Sequence, residues 1–311
     1  MVSAWLRAIR VRFLLASIIS VSIGLAIALW KYDALDPLHA LLTYIGVLSL
    51  HASVDLLNDY WDYRSGIDKV TRRTPFSGGT GVLPENMLLP SSVYRAGIAF
   101  LIIGAVIGLY FVAVRGIAIA IILAFAVAAV YLYSTSIVRI GLGEFFVALK
   151  GTMIVVGTYY VQVGALSIEP VYAGIISGML SSSVLFINSF PDYEADRRGG
   201  RRTLVILLGP ARASRLFIAF PSAVYIMIIA GVVLQILPLY TLATLLALPL
   251  ALRAYRILKA RYDDAEGLIP CMSSTVVFSR IVGIAIVVGV LVEYLYHQLK
   301  VVIPSIILYY A

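Results

Sequence analysis

Residues 93–114 read VYRAGIAFLIIGAVIGLYFVAV, and residues 116–133 read GIAIAIILAFAVAAVYLY, with Arg115 alone between them. A helix needs about 20 residues to cross the hydrocarbon core of a bilayer. Inside lipid its backbone polar groups must be satisfied within the helix itself. The two runs therefore predict two membrane helices joined by a very short connection.

The same apolar pattern extends along the whole chain of 311 residues, which is 61% hydrophobic and 13% charged with a mean hydropathy of +0.99. A soluble domain is nearer half apolar and a quarter charged. The composition therefore excludes a water-soluble globule and a disordered tail, and the single cysteine, Cys271, excludes a disulfide scaffold. We predict one all-α domain over residues 1–311 with nine membrane helices. The other seven apolar runs lie near 13–30, 37–57, 143–166, 170–190, 213–233, 236–252 and 272–296.

The basic residues give this arrangement an orientation. With nine spans, nineteen of the 24 Lys and Arg residues fall on one side, and only Lys31, Arg115 and Lys300 fall on the other. Basic residues concentrate in cytoplasmic loops. We therefore predict a multi-pass protein of the cell membrane whose N-terminus and long loops, 58–92 and 191–212, are cytoplasmic. The net charge of +8 then reflects topology, and we expect no nucleic-acid partner.

Seven of the sixteen acidic residues lie in two short windows, Asp55–Asp68 and Asp192–Asp196. Carboxylates at the depth of the hydrocarbon cost about 2.5 kcal/mol or more each, and no Lys or Arg shares their helical faces. A divalent cation is the simplest way to neutralise them, and hard oxygen ligands suit Mg²⁺. At 3.6 residues per turn, one stripe is His51, Asp55, Asn58, Asp59 and Asp62, and the other is Asn188, Asp192 and Asp196. The predicted metal ligands are Asn58, Asp59, Asp62, Asp68, Asp192 and Asp196.

Basic clusters follow both acidic windows, one beginning at Arg64 and the other at Arg197. Carboxylates that hold Mg²⁺, surrounded by guanidinium groups, are typical of a diphosphate site. The segment Ser77–Gly81 adds backbone amides that can approach an anion. His51 is more simply a packing residue, and Lys150 alternatively snorkels to the membrane surface. The predicted diphosphate ligands are Arg10, Arg64, Lys69, Arg72, Arg139, Lys150 and Arg202.

Asn58-Asp59-Tyr60-Trp61-Asp62, continuing to Asp68, resembles the first aspartate-rich motif of the UbiA superfamily of intramembrane prenyltransferases. Residues 192–196, followed by residues 200–204, are similar to the second aspartate-rich motif of that superfamily. Residues 73–79, 141–144 and 157–162 resemble the MenA-type branch. Asp62 and Asp68 are six positions apart, a longer spacing than in many members but one that MenA-type members share.

This resemblance implies nine transmembrane helices around a central cavity, capped on the cytoplasmic side by the loops between helices 2 and 3 and helices 6 and 7. It implies Mg²⁺-dependent transfer of a polyprenyl group from its diphosphate, for example geranylgeranyl diphosphate, to an aromatic acceptor. In the MenA-type branch that acceptor is 1,4-dihydroxy-2-naphthoate, on the way to menaquinone.

An allylic carbocation formed in such a reaction needs a dry cavity and is stabilised by aromatic faces. We expect this role for Tyr133, Tyr159 and Tyr160, and a catalytic role for Asp59 and Asp68 beside the metal. The long prenyl tail would lie between helices in contact with the lipid bilayer.

Two alternatives remain open at this point, another UbiA-type acceptor and a transporter, and a third is excluded by its missing motif. An archaeal-lipid digeranylgeranylglyceryl phosphate synthase would use the same chemistry on another acceptor. An ion-coupled transporter would carry charges near the midplane of broken helices, whereas the acids here lie at helix ends. A CDP-alcohol phosphotransferase would show an Asp-Gly…Ala-Arg…Gly…Asp…Asp run, which the sequence lacks. The acceptor, the prenyl length and the oligomeric state stay undetermined.

Overall fold

The structure, a computed structural model, describes residues 2–132 and 136–310, with the backbone alone at 69, 70 and 301–310. Throughout these residues the regular structure is helical. The α-helices are α1 (Val2–Ala8), α2 (Val11–Tyr32), α3 (Pro37–Ser65), α4 (Ile67–Val70), α5 (Pro90–Arg115), α6 (Ile117–Leu132), α7 (Gly143–Val163), α8 (Ile168–Asn188), α9 (Tyr193–Arg198), α10 (Leu204–Leu208), α11 (Pro210–Leu216), α12 (Ala219–Val233), α13 (Leu248–Arg261) and α14 (Ile269–Tyr310), and 3₁₀ segments lie at Ile137–Arg139 and Leu239–Ala247.

Eight helical stretches in the described part of the chain are long and apolar enough to cross a membrane. The remaining predicted span, 116–133, corresponds to α6, which has 16 residues. The protein is thus a multi-pass membrane protein in which eight of the nine predicted spans have counterparts of full length.

The centre of the bundle depends on close backbone contact between α7 and α8. A Cβ added at Gly178 would lie 2.0 Å from the Ala148 carbonyl oxygen, and one at Gly151 would lie 2.7 Å from the Gly178 Cα. A Cβ at Gly24 of α2 would lie 2.6 Å from the Val155 carbonyl oxygen of α7. Small residues let membrane helices approach closely enough for strong van der Waals packing, and here they fix α2, α7 and α8 as one unit.

The predicted eighth span, 236–252, differs from a simple helix. It begins as a nine-residue 3₁₀ segment, Leu239–Ala247, and continues as α13 to Arg261. The hydroxyl groups of Thr241 and Thr244 donate to backbone carbonyls within this segment, at 2.7 and 2.8 Å. Gly289 of α14 lies against it, since a Cβ there would be 2.8 Å from the Thr241 nitrogen. Such a long 3₁₀ segment is uncommon, and periodicity did not predict it.

The two acidic windows lie at the same end of the bundle, here called the motif face, where α3 and α8 end. The first window is helical through Ser65, so the loop predicted to begin at residue 58 begins instead at Gly66. Gly66 has φ 80°, the left-handed conformation that commonly ends a helix. The motif side chains therefore stand on a rigid helix.

Candidate active site

A cavity of about 420 Å³ lies beneath the motif face and extends between the helices. Its inner walls are apolar and include Leu50, Ile107, Leu123, Phe125 and Phe146. The end at the motif face is polar. A ligand with a long apolar part and a charged head matches this division. The polar and charged lining residues at that end are Arg10, Asp55, Asn58, Asp62, Lys150, Asn188, Asp192, Asp196, Arg201 and Arg202.

The last turns of α3 present Asn58 and Asp62 to the cavity. The Asn58 amide donates a 3.0 Å hydrogen bond from Nδ2 to Asp62 Oδ2. Asp62 is only 6% exposed. About two turns deeper than Asn58, His51 Nδ1 shares a 2.7 Å hydrogen bond with the Ser17 hydroxyl, and His51 Nε2 is 3.7 Å from Asp55 Oδ2. The polar stripe on α3 therefore continues into the cavity.

Arg201 joins the two acidic windows. Its guanidinium donates to Asp62 Oδ1 through Nη2, and to Asp196 Oδ1 through Nη1 at 3.1 Å. Asp62 and Arg201 are 139 positions apart in the chain, so this contact depends on the tertiary fold. It shows that the two windows meet at one site, as the sequence predicted.

The glycine-rich segment Ser77–Gly81 also connects the windows. Gly78 donates its N–H to Asp192 Oδ2 at 3.1 Å. Gly78 and Gly79 have φ 84° and 73°, and a Cβ on Gly79 would lie 2.8 Å from Asp68 Oδ1. Backbone amides in this segment thus do approach an anion, and the anion is a carboxylate of the second window.

Crowding of buried carboxylates raises their pKa values on the motif face. Burial, together with the nearby Asp196, raises the pKa of Asp192 to about 8. Burial and the charges of Asp62 and Asp59 raise the pKa of Asp68 to about 7. Burial also raises the pKa of Asp196. The site therefore holds more acidic groups than its own cations neutralise, and it favours an added cation.

The donor set fits a hard divalent cation. Asp192 Oδ1 and Asn188 Oδ1 are buried without a hydrogen-bond partner in the structure, and both residues line the cavity. No three His, Cys, Asp or Glu side chains within residues 2–132 and 136–310 lie close enough together to hold a metal by themselves. Mg²⁺ is commonly bound by one or two carboxylates plus phosphate oxygens and water, so the oxygens present match Mg²⁺ held jointly with a diphosphate.

Comparison of the sequence with known proteins assigns the chain to a family. The sequence profile of the UbiA prenyltransferase family matches residues 17–272. The chain belongs to the UbiA prenyltransferase family. The family prediction is confirmed, and as a UbiA-family member the protein is a prenyltransferase.

Two curated relatives refine the assignment. The 1,4-dihydroxy-2-naphthoate octaprenyltransferase of Escherichia coli (strain K12) is 28% identical over 301 residues, 92% of this chain and 94% of that protein. UbiA prenyltransferase domain-containing protein 1 of Gallus gallus is 30% identical over 217 residues, 67% of this chain. The match spans 63% of the length of the chicken protein. The near full-length match to the octaprenyltransferase identifies this UbiA-family chain as MenA-type.

A solved UbiA homologue from Archaeoglobus fulgidus, bound to DMAPP and Mg²⁺, has the same fold. It superposes with a TM-score of 0.63 at 16% identity, covering 91% of this chain and 99% of that one. At this identity the likeness establishes the fold alone.

The acidic residues predicted as metal ligands divide into two groups in this UbiA-family structure. Asn58, Asp62, Asp192 and Asp196 line the cavity. Asp59 points elsewhere: it accepts from Arg10 Nη2 at 2.7 Å and from the Thr80 hydroxyl. Asp68 packs against Gly79 and does not line the cavity. Asp59 and Asp68 thus lie beside the cavity, where they contact the segments that cover it.

The predicted diphosphate ligands divide similarly. Arg10, Lys150 and Arg202 line the cavity. Arg64, Arg72 and Arg139 do not, because each is turned outward on the motif face. The side chain of Lys69 lies outside the described part of the chain. The Arg64 guanidinium lies 6.0 Å from the ring centroids of Tyr60 and Trp61, and Arg72 pairs with Glu266 at 2.6 Å. Arg139 is the exposed last residue of the 3₁₀ turn Ile137–Arg139.

The structure places Tyr159 and Tyr160, two of the three tyrosines in this prediction, outside the lining of the cavity. Tyr159 is fully buried in the core, where its hydroxyl accepts from Ser167 at 3.0 Å. Tyr160 packs in another apolar cluster and does not itself line the cavity, although Ile107, Phe111 and Val161 of that cluster do. On α7 the cavity face carries Gly157 and Val161 instead. Tyr133 lies outside the described residues. The aromatic walls are phenylalanines, among them Phe125 and Phe146, whose rings stack with centroids 5.9 Å apart.

Sequence reasoning missed Arg201 and Glu144 as individual residues. Glu144 Oε1 accepts from the Leu204 N–H at 3.0 Å, and its buried Oε2 has no hydrogen-bond partner in the structure. Arg201 belonged to a recognised basic cluster, but nothing in the spacing separated it from Arg202. Glu144 lies in residues 141–144, a motif that indicated the family resemblance but no chemical role for this side chain.

Proposed function

We propose that the protein transfers a polyprenyl group from its diphosphate to 1,4-dihydroxy-2-naphthoate in Mg²⁺-dependent menaquinone-type quinone biosynthesis. The observation that carries this proposal is the meeting of the two acidic windows on Arg201, at the polar end of a largely apolar cavity. A diphosphate head at that end leaves the prenyl chain in the apolar part.

Asn58, Asp62, Asp192 and Asp196 would hold the metal through their oxygens. When bound, Mg²⁺ supplies positive charge that neutralises the diphosphate leaving group. Asn188, whose buried Oδ1 has no hydrogen-bond partner in the structure, is the last residue of α8 and adds a further oxygen to the cavity lining.

Basic side chains on the cavity wall would bind the remaining diphosphate oxygens. Lys150 and Arg202 line the polar end, and donors aimed at a leaving group stabilise the charge that develops on it. Arg64, Arg72 and Arg139 are not part of this proposal, because they are turned away from the cavity.

The apolar walls would protect the allylic cation formed as the carbon–oxygen bond breaks. Water in the cavity would capture the cation as an alcohol, so exclusion of water favours attack by the electron-rich acceptor ring. The faces of Phe125 and Phe146 would stabilise the cation by cation–π attraction.

The acceptor assignment is supported by the 28% identity to the naphthoate octaprenyltransferase over 92% of the chain. The proposed orientation, with the motif face and its covering loops in the cytoplasm, is supported by the excess of Lys and Arg on this face. A water-soluble acceptor then reaches the site from the cytoplasm.

Incubation of the purified protein with Mg²⁺, labelled geranylgeranyl diphosphate and a panel of acceptors tests the proposal. We expect a prenylated naphthoquinol that has lost the acceptor carboxylate, identified by its mass, and no product after EDTA. A glyceryl phosphate acceptor and 4-hydroxybenzoate complete the panel. Transfer to either of these in place of the naphthoate would contradict the acceptor assignment.

A further inference from the structure

A second cavity, of about 240 Å³, lies between the beginning of α2, the loop that follows α4, and α14. Its lining includes Arg12, Phe13, Phe76, Ser273 and Arg280, and all of these except Ser273 also line the main cavity. The smaller cavity is therefore a side chamber of the active site, and a ligand can occupy both.

Arg280 stands out in this chamber because it lies well inside the apolar helix α14, eleven positions after Ile269. Its Nη2 donates a 2.5 Å hydrogen bond to the backbone carbonyl of Arg12. Charged residues within membrane helices are costly and as a rule serve a ligand or a transported ion. The carbonyl orients the guanidinium but leaves its charge unneutralised.

No carboxylate in the described part of the chain forms an ion pair with Arg12 or Arg280. Arg10 and Arg201, which also line the main cavity, differ in this respect, since Arg10 is paired with Asp59 and Arg201 with two aspartates. Two like charges that share a chamber without an acidic partner favour the binding of an anion.

We propose that Arg12 and Arg280 bind the carboxylate of the aromatic acceptor. A guanidinium presents parallel N–H donors that match a carboxylate. The rings of Phe13 and Phe76 supply apolar faces for a planar ring, and the hydroxyl of Ser273 adds a donor. The inference rests on the proposed function and names the part of the site that would select a carboxylated acceptor.

Separate sites for the two anionic substrates follow from electrostatics. The diphosphate and the acceptor carboxylate repel one another, so binding both at one cluster would weaken each. The aspartates and Lys150 lie around the main polar end, whereas the side chamber contains only arginines as charged lining. Because the two cavities share four of these lining residues, the acceptor ring can face the main cavity while its carboxylate stays in the chamber.

Steady-state kinetics on Arg280→Gln and Arg12→Gln, with Arg253→Gln on the exposed surface of α13 as the matched control, tests the proposal. The acceptors compared are 1,4-dihydroxy-2-naphthoate and 1,4-dihydroxynaphthalene, which lacks the carboxylate. We expect each chamber variant to raise the KM for the naphthoate by about tenfold or more, as the loss of a charge-assisted hydrogen bond predicts. The KM for geranylgeranyl diphosphate and for the carboxylate-free acceptor should stay close to wild type, and Arg253→Gln should change neither.

An equal rise in KM for both acceptors, a rise confined to the prenyl diphosphate, or no rise at all would overturn the proposal. A phospholipid phosphate is the other anion that could occupy the chamber, so activity is also measured in vesicles with and without phosphatidylglycerol. If the variants lose only the effect of that lipid, the chamber binds a headgroup and the acceptor assignment is wrong.

Direct binding separates this proposal from the proposed function. Titration of the protein with fluorescent 1,4-dihydroxy-2-naphthoate, without prenyl diphosphate, should show weaker binding to Arg280→Gln than to wild type. If wild type binds the naphthoate in this way but does not prenylate it, the proposed function fails and the anion chamber stands. If both proteins bind it equally, the chamber assignment fails whatever the turnover.

Discussion

Asp59 and Asp62 are three positions apart on α3, yet they face different surroundings. Asp59 is held by Arg10 and Thr80, whereas Asp62 faces the cavity and Arg201. At about 100° per residue, Asp62 lies about 20° from His51 around the helix, and Asp59 lies about 80° away. Asp59 is therefore at the edge of the stripe, where it meets α2 and the covering loop. Arg10 reaches it from a left-handed backbone conformation, φ 47°, that is uncommon outside glycine.

We predict that Asp62→Ala abolishes Mg²⁺-dependent prenyl transfer while the protein still folds. Loss of a carboxylate that holds the metal removes several kcal/mol of stabilisation from the leaving group. We therefore expect kcat/KM to fall about a hundredfold or more. Turnover of the purified variant, with its elution volume on size exclusion as a folding check, measures this. Asp263→Asn, an exposed acid outside the site, is the control. Near-normal turnover of Asp62→Ala would refute the metal assignment.

The raised pKa of Asp192 predicts a pH effect on stability. Burial and Asp196 raise this pKa to about 8 in the folded protein, whereas an unfolded Asp has a pKa of about 3.9. The folded state therefore holds a proton that the unfolded state has lost, and the stability that this proton contributes declines as pH rises from about 4 to 8.

Asp192→Asn removes that contribution. The Tm of Asp192→Asn relative to wild type, both in EDTA, should therefore rise steadily between pH 5 and pH 8. A difference in Tm that stays constant over this range would show that the pKa of Asp192 is not raised.

At this scale the sequence predicted the polar stripe on α3 because helical periodicity depends only on spacing, whereas the second predicted stripe crosses the turn between α8 and α9. Asn58, Asp62, Asp192 and Asp196 do share one cavity. Arg201 was not singled out, because its position depends on the path of the loop after α9. Tyr159 was chosen for its ring, but only the packing of α7 determines which face meets the cavity.

Among the connecting elements, the segment Ser77–Gly81 has the most direct effect on the site. It donates a backbone N–H to Asp192, and its Thr80 hydroxyl binds Asp59. Its glycines have positive φ, so the segment can turn tightly over both acidic windows. It thereby connects the end of α3 with the start of α9.

We predict that Gly79→Ala lowers turnover by about tenfold, because the added Cβ would lie 2.8 Å from Asp68 Oδ1 and displace the segment from the carboxylates. Gly164→Ala is the matched control. Gly164 has a similar φ of 78°, but a Cβ there would make only an ordinary 3.4 Å contact with Arg115, at the opposite end of α7.

Both alanines cost about 1–2 kcal/mol through the left-handed backbone, so thermal melts of the two should be similar and only Gly79→Ala should lose turnover. If turnover fell equally in both, the loss would come from backbone strain in general.

The existence of the helices was predictable from sequence, but their detailed form was not. Apolar runs marked all nine stretches, since lipid leaves the backbone few alternatives to a helix. The 3₁₀ segment Leu239–Ala247, which begins the span that α13 completes, packs against Gly289 of α14. Hydropathy carries no information about those contacts.

For the whole molecule, the distribution of charge predicts a fixed orientation, with the motif face in the cytoplasm. Cys271 is buried, so thiol labelling of intact cells should have a low background. Cysteine introduced at Asp263 on the motif face should react with a membrane-impermeant reagent only after the cells are permeabilised. Cysteine introduced at Ala165 on the opposite face should react at once. Reversed labelling would overturn the orientation.

The meeting of two windows more than a hundred residues apart is a property of the whole molecule. Local spacing produced each stripe but could not bring them together. The shared end of the bundle followed from counting spans and from the family resemblance. The contact itself, Arg201 between Asp62 and Asp196, required the three-dimensional structure.

The guanidinium of Arg201 gives the enzyme a permanent internal counter-ion. Arginine keeps its charge at any physiological pH. The carboxylates of the two acidic windows therefore keep a positive charge between them when divalent ions are scarce. Zinc fingers unfold without their ion, whereas this bundle should keep its shape. A chelator should stop turnover at once yet shift the melting temperature by no more than a few degrees, and fresh Mg²⁺ should restore activity without refolding.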